Sequence, residues 1–152
     1  MKYVMLMRIK WEVERSMINC KMYSFKRITD GRGSLTPIEY DSDIPFDIKR
    51  IYYIYGVNDG IRRGFHSHKD LEQILIAISG SIKILVKNHK EEEIIELNDP
   101  SKGLYIGPMI WREMYDFSEG AVLLVLASRK YDENDYIRDY DQYLKLSKEY
   151  FK

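Results

Sequence analysis

The fold is decided by the stretch RRGFHSHKDLEQILIAISGS, residues 62–81. It sets two histidines one residue apart directly before an apolar run. In a strand, side chains two positions apart share a face, so His66 and His68 project together into whatever the sheet encloses. The apolar run that follows is then broken by Ser79-Gly80-Ser81, which reads as a tight antiparallel connection into the next strand.

Working outward, turn residues between Met17 and Ser128 cut the chain into apolar segments every eight to twelve positions, the spacing of an all-β sandwich or barrel. Candidate strands cover residues 21–28, 49–57, 72–79, 81–87, 92–97, 103–107, 110–117 and 121–128. Asn88-His89-Lys90 reads as an antiparallel hairpin tip, which leaves His89 in solvent. Asn98-Asp99-Pro100-Ser101 collects turn formers and ends the strand before it. Beyond Asp135 the pattern changes: Tyr136, Tyr140, Tyr143, Leu144 and Tyr150 fall on one face of a C-terminal α-helix packed on the sheet. Residues 1–16 fit this pattern least and form an N-terminal extension to a single domain over residues 17–152.

A chain of 152 residues suits one core. Its 24 basic and 24 acidic residues cancel, so no overall field draws it to nucleic acid or an anionic membrane, while a local basic pocket for a small anion stays open. The only cysteine, Cys20, has no partner for an internal disulfide, which fits a reducing, cytoplasmic setting. Arg8, Lys10, Glu12, Glu14 and Arg15 interrupt the apolar opening before it reaches the length of an export signal. The 13 tyrosines read mainly as core and interface packing with wetted hydroxyls.

Three readings of the histidine pair compete: metal ligands, proton carriers, or two satisfied polar residues at a strand edge. The spacing Gly60, five residues, His66-x-His68, three residues, Glu72 resembles the first motif of the cupin superfamily, with the closing glycine one residue late at Gly80. The second cupin motif carries a glycine and a metal-binding histidine after its proline, yet here Pro108 is followed by Met109-Ile110-Trp111-Arg112-Glu113. Glu72 and Glu113 could complete a two-histidine, two-carboxylate site, although a guanidinium at Arg112 would repel a divalent cation. Proton transfer accounts best for the pair.

The segments GSLTPIE (33–39), IPFDIKRIYYI (44–54), RGFHSHK (63–69), LNDPSKGLYIGPMIWREMYDF (97–117) and VLLVLAS (122–128) resemble the dTDP-4-keto-6-deoxyglucose 3,4-ketoisomerases from about Met17 onward. The resemblance implies an all-β, cupin or jelly-roll-type antiparallel barrel and a homodimer that exchanges N-terminal strands. It implies metal-independent transfer of a carbonyl from C4 to C3 of a nucleotide-linked hexose, with no cofactor, supplying 3-amino sugars for bacterial surface polysaccharides. His66 matches the catalytic histidine, and an imidazole can take the C3 proton and return it to C4 near neutral pH. Tyr52 matches the active-site tyrosine and would exchange a proton with the sugar oxygens. Tyr53, one residue on, is expected in the core unless the register slips by one.

The other residues at matching positions are substrate-binding candidates. Arg63 suits pyrophosphate; Arg32 and Arg112 lie around the sugar and bear on which C4 epimer forms; His68 orients the sugar or tunes the base; Tyr105 and Trp111 offer stacking faces. Two rival readings remain: a metal-dependent cupin using His66, His68, Glu72 and Glu113, and a non-catalytic sugar sensor. The absence of a helix-turn-helix pattern or a basic face weighs against the sensor.

Overall fold

The computed structural model describes residues 17–152; the expectation for an N-terminal extension falls outside them. Twelve strands follow in order: β1 (Cys20–Ser24), β2 (Ile28–Asp30), β3 (Gly33–Leu35), β4 (Arg50–Ile54), β5 (Arg63–His68), β6 (Gln73–Ser79), β7 (Ile82–Lys87), β8 (Glu92–Leu97), β9 (Lys102–Ile106), β10 (Trp111–Tyr115), β11 (Val122–Ala127) and β12 (Tyr136–Ile137). An α-helix, α1 (Tyr140–Tyr150), follows β12.

Two five-stranded antiparallel sheets form, in the orders β1-β9-β6-β11-β4 and β12-β5-β10-β7-β8, with β2 and β3 as a separate hairpin. They stack as a jelly-roll sandwich. Leu75, Leu104, Ile106, Leu123 and Val125 of the first sheet meet Ile82, Ile84, Val86 and Met114 of the second in one core. Burying this apolar surface supplies about 25 cal/mol per Å2 removed from water. The opposite face of the first sheet is also covered. Ile74, Ile76 and Leu126 pack under Ile44 and Phe46, which explains why β6 reads as an unbroken apolar run and not as an alternation.

Gly80 does not close a hairpin as the sequence suggests. β6 pairs with β9 and β11, and β7 with β8 and β10, so the turn carries the chain from one sheet to the other. Gly80 sits at φ +70°, where a Cβ would lie 2.4 Å from Ser118 Oγ and 2.9 Å from Ala121 Cα. Only glycine fits this corner. The β7–β8 hairpin does form, and Asn88 Oδ1 closes its tip by accepting from the backbone of Lys90 and Glu91.

The helix begins later than the tyrosine spacing implies. Asp139 caps it, its side chain accepting from the Gln142 amide, and Tyr143 and Ser147 form the buried stripe. Tyr136 lies before the cap, in β12, paired with His68. His89 is not free in solvent: it is half-buried, and its backbone N–H donates to Ser147 Oγ at 3.1 Å.

Candidate active site

The base of the site is a bulge in β5. The β5–β10 register pairs Arg112 with His66 but Glu113 with Gly64, which leaves Phe65 as the extra residue. Gly64 has φ +97° and Phe65 φ +54°, and a Cβ on Gly64 would lie 2.8 Å from the Arg112 carbonyl oxygen. The RG-x-H sequence therefore encodes a kink that re-aims the next side chain, His66, inward.

His66 lines a cavity of about 360 Å3 together with Arg50, Tyr52, Ile54, Arg63, Met114, Tyr136 and Arg138. Its Nδ1 lies 3.0 Å from the Gly64 carbonyl oxygen. A carbonyl only accepts, so Nδ1 carries the hydrogen and Nε2 keeps a lone pair. Burial, then the positive charge of Arg112, pushes the His66 pKa down to about 4, so the ring is neutral near pH 7.

His68 is buried behind His66, with ring centroids 4.9 Å apart and planes nearly perpendicular. Its Nδ1 donates to Asp135 Oδ2 at 3.1 Å, and burial, followed by Arg112, drives its pKa far below the ordinary value. Asp135 Oδ1 also accepts from the Asp70 amide. Tyr136, next in the chain, packs against both imidazoles at 5.1 and 4.3 Å.

Tyr52 reaches the cavity from β4, and its hydroxyl accepts from Gln73 Nε2 at 2.9 Å. Burial raises its pKa, an effect opposed by the charge of Arg112 and the Gln73 hydrogen bond. Arg112 is 1% exposed; Nη1 donates to Gln73 Oε1 at 2.7 Å and Nη2 to the Ile110 carbonyl at 2.9 Å. Arg50 stacks over Tyr52, Arg138 stacks over Tyr136, and Arg63 lies at the rim, giving a cationic mouth.

The sequence candidates thus divide. His66, Tyr52 and Arg63 share the cavity wall, with His68 and Arg112 buried behind it. Arg32, Tyr105 and Trp111 do not line this cavity. Arg32 stands exposed in the β2–β3 turn and pairs with Asp30 at 2.5 Å. Tyr105 alternates with the core residues Leu104 and Ile106, so it points to the other face of its sheet, where its hydroxyl donates to Glu72 Oε1 at 2.7 Å. Trp111 turns toward Tyr140 and Tyr143 of α1, and its Nε1 donates to Glu113 Oε2 at 3.1 Å. Tyr53 is 60% exposed and belongs to no core, because β4 is an edge strand with its outer face open.

The metal reading loses its carboxylates to the same alternation. Glu72 is held by Tyr105, and Glu113 by Arg62 Nε at 2.8 Å as well as by Trp111. Among the described residues, no group of three or more His, Cys, Asp or Glu side chains is arranged to hold a metal ion.

Sequence reasoning missed Arg50, Gln73, Asp135, Tyr136 and Arg138. A signal for two of them was present: Asp139 is a helix N-cap, which starts the helix at Tyr140 and leaves Asp135 and Tyr136 outside it, free for the site.

The family model described as "FdtA: WxcM-like, C-terminal" matches residues 18–148. The chain belongs to this family. The chain is 49% identical over 125 residues to the TDP-4-oxo-6-deoxy-alpha-D-glucose-3,4-oxoisomerase of Aneurinibacillus thermoaerophilus, covering 82% of this chain and 90% of that protein. Its fold superposes on the 3,4-ketoisomerase QdtA of Thermoanaerobacterium thermosaccharolyticum, crystallised as a histidine-to-asparagine mutant with TDP-4-keto-6-deoxyglucose. The TM-score is 0.88 at 60% identity, over 90% of this chain and 99% of that one. The WlaRB TDP-quinovose 3,4-ketoisomerase of Campylobacter jejuni matches at TM-score 0.82 and 50% identity, over 85% of this chain and 99% of its own.

Proposed function

We propose that this protein is a dTDP-4-keto-6-deoxyglucose 3,4-ketoisomerase, moving the carbonyl from C4 to C3 through an enediol without a metal. The observation that carries this reading is a neutral imidazole and a phenol on one cavity wall. His66 has an unprotonated Nε2, and Tyr52 accepts its structural hydrogen bond and so keeps its own hydrogen free.

The chemistry balances with these two groups. His66 Nε2 takes the proton from C3 while Tyr52 gives its hydrogen to the carbonyl oxygen on C4, leaving an enediol, an imidazolium and a phenolate. The imidazolium then protonates C4, and the hydroxyl on C3 returns a proton to the phenolate as its carbonyl forms. Hydrogen moves from C3 to C4, and both protein groups are regenerated. Arg50, Arg63 and Arg138 at the mouth supply positive charge for a diphosphate.

The reading extends to assembly and address. Ile51 and Tyr53 on the edge strand β4, with Tyr55 just beyond it, expose an apolar outer face, and Ile28 and Leu35 expose apolar side chains on the β2–β3 hairpin. Such surface suits a homodimer with exchanged N-terminal strands, in which Arg32 would be relocated by the exchange. No helix among the described residues is long and apolar enough to cross a membrane, and the reading places the enzyme in the cytoplasm beside its nucleotide-sugar substrate.

The test is turnover of dTDP-4-keto-6-deoxyglucose in deuterated water, followed by NMR. The expected product is a 3-keto isomer, carrying deuterium at C4 wherever the His66 imidazolium exchanges its proton with solvent before returning it, and His66→Asn abolishes both exchange and isomerisation. Unchanged substrate, or exchange without carbonyl movement, refutes the proposal.

A further inference from the structure

We infer that Gln73 is a positioning residue that fixes the direction of proton donation by Tyr52 and couples the phenol to the buried charge of Arg112. The inference rests on the reading of Tyr52 as the proton donor. It concerns a residue outside the cavity lining: Gln73 is 2% exposed and lies between the two side chains at the start of β6.

A guanidinium can only donate, so the Gln73 atom 2.7 Å from Arg112 Nη1 must be the carbonyl oxygen, Oε1. That fixes the amide orientation. The NH2 group then faces Tyr52 and can only donate to its hydroxyl, at 2.9 Å. With a lone pair so used, the Tyr52 hydrogen is left to point elsewhere, toward an acceptor in the cavity.

Polarity runs the same way along the chain. The cation draws electron density through the amide and makes its N–H a better donor, so negative charge developing on the phenol is stabilised. Arg112 is well placed for this because, among the described residues, no carboxylate pairs with it and Nε has no partner, while Gln73 and the Ile110 carbonyl take its Nη groups. A guanidinium keeps its proton even in such a site. Burial raises the Tyr52 pKa, while the Arg112 charge and the Gln73 bond both oppose that rise.

The decisive variant is Gln73→Glu, close to isosteric but reversed in function. A carboxylate between Arg112 and Tyr52 forms an ion pair with the first and accepts from the second, so the Tyr52 hydrogen turns inward, away from the substrate. Gln73→Leu removes the bond but leaves the hydroxyl free to rotate. The expected order of kcat is wild type, then Gln73→Leu, then Gln73→Glu, with losses of about 10-fold and about 100-fold or more and KM within about threefold of wild type. A structural role alone gives the opposite order, since the leucine is the poorer mimic.

The Tyr52 ring-carbon NMR signal, assigned by its loss in Tyr52→Phe, reads the hydrogen-bond direction without substrate. It is expected to move in Gln73→Glu toward a phenol donating to a carboxylate. The inference is overturned if Gln73→Glu turns over as fast as Gln73→Leu or faster, or if the Tyr52 signal does not move. If Tyr52→Phe keeps full activity, the assignment of Tyr52 as donor falls instead. If the wild-type protein leaves the keto sugar unchanged, the functional reading falls, while the NMR arm still tests the hydrogen-bond direction.

Discussion

The His66 imidazole donates its Nδ1 hydrogen to the Gly64 carbonyl, two residues earlier on the same strand, at 3.0 Å. An ordinary extended strand holds that carbonyl away from the ring. The bulge at Gly64 and Phe65, both at positive φ, brings it round and so selects the tautomer whose Nε2 is free.

Gly64→Ala should therefore damage both stability and activity. The new methyl group meets the Arg112 carbonyl at 2.8 Å and forces a side chain into φ +97°. A loss of about 1–3 kcal/mol is expected in chemical denaturation, from backbone strain at a site that cannot relax without moving β10. kcat should fall as well, because the bulge sets both the direction and the tautomer of His66. A variant with wild-type stability and kcat would show that the bulge is incidental.

The pH dependence follows from the environment of His66. Burial, then the Arg112 charge, depresses its pKa to about 4, so the free-enzyme profile of kcat/KM should have its acid limb near that value and stay flat through neutrality. Arg112→Met removes one depressing influence and should move the limb upward. Stability should follow with a definite sign. Both His66 and His68 have folded pKa values below the unfolded value near 6.5, so the unfolded chain binds more protons below that pH. Their contribution is complete above pH 6.5 and is lost as pH falls, for His66 mainly between 6.5 and about 4. Melting curves from pH 7.5 to 4.5 should show this decline, and His66→Asn should lessen it.

Asp135 anchors β12 to the end of β5. Its carboxylate accepts from His68 Nδ1 and the Asp70 amide, and its carbonyl from the Lys69 amide. Asp135→Ala leaves a buried imidazole N–H without its acceptor and loosens the segment that carries Tyr136. A destabilisation of about 2–4 kcal/mol is expected by denaturant titration. The His68 ring nitrogens should also lose their single-tautomer 15N signature. Retention of both wild-type stability and that signature would refute the anchoring role.

How much of this was legible in the sequence depended on the range of the interaction. The eight expected strands all have counterparts because alternation and turn residues are local signals, whereas β5 was not among them and only the shared face of His66 and His68 was read from their spacing. What failed was pairing across space. Gly80 looks like a hairpin turn until its sheet partners are known, and Tyr105 looks like a site residue until its strand is seen to bury Leu104 and Ile106 instead. Gln73 and Asp135 carry no local signature. Their roles arise because β6 and β12 bring them beside Tyr52 and His68, 21 and 67 residues away.

Proton transfer and metal catalysis make opposite demands on Glu72 and Glu113. A metal-dependent site built on His66, His68, Glu72 and Glu113 needs both carboxylates turned inward. Glu72 instead accepts from Tyr105 on the opposite face of its sheet, and Glu113 is shared by Arg62 and Trp111 outside the cavity. Reversing both would require one-residue slips of β6 and β10 that expel core side chains such as Leu75 and Met114. Glu72→Gln and Glu113→Gln should keep kcat within about threefold of wild type, since amides can still accept from Tyr105, Arg62 and Trp111. Wild-type enzyme dialysed against a strong chelator should retain full turnover. A kcat loss of 100-fold or more in both glutamine variants, together with recovery of chelated enzyme by a divalent cation, would return the histidine pair to the role of metal ligands.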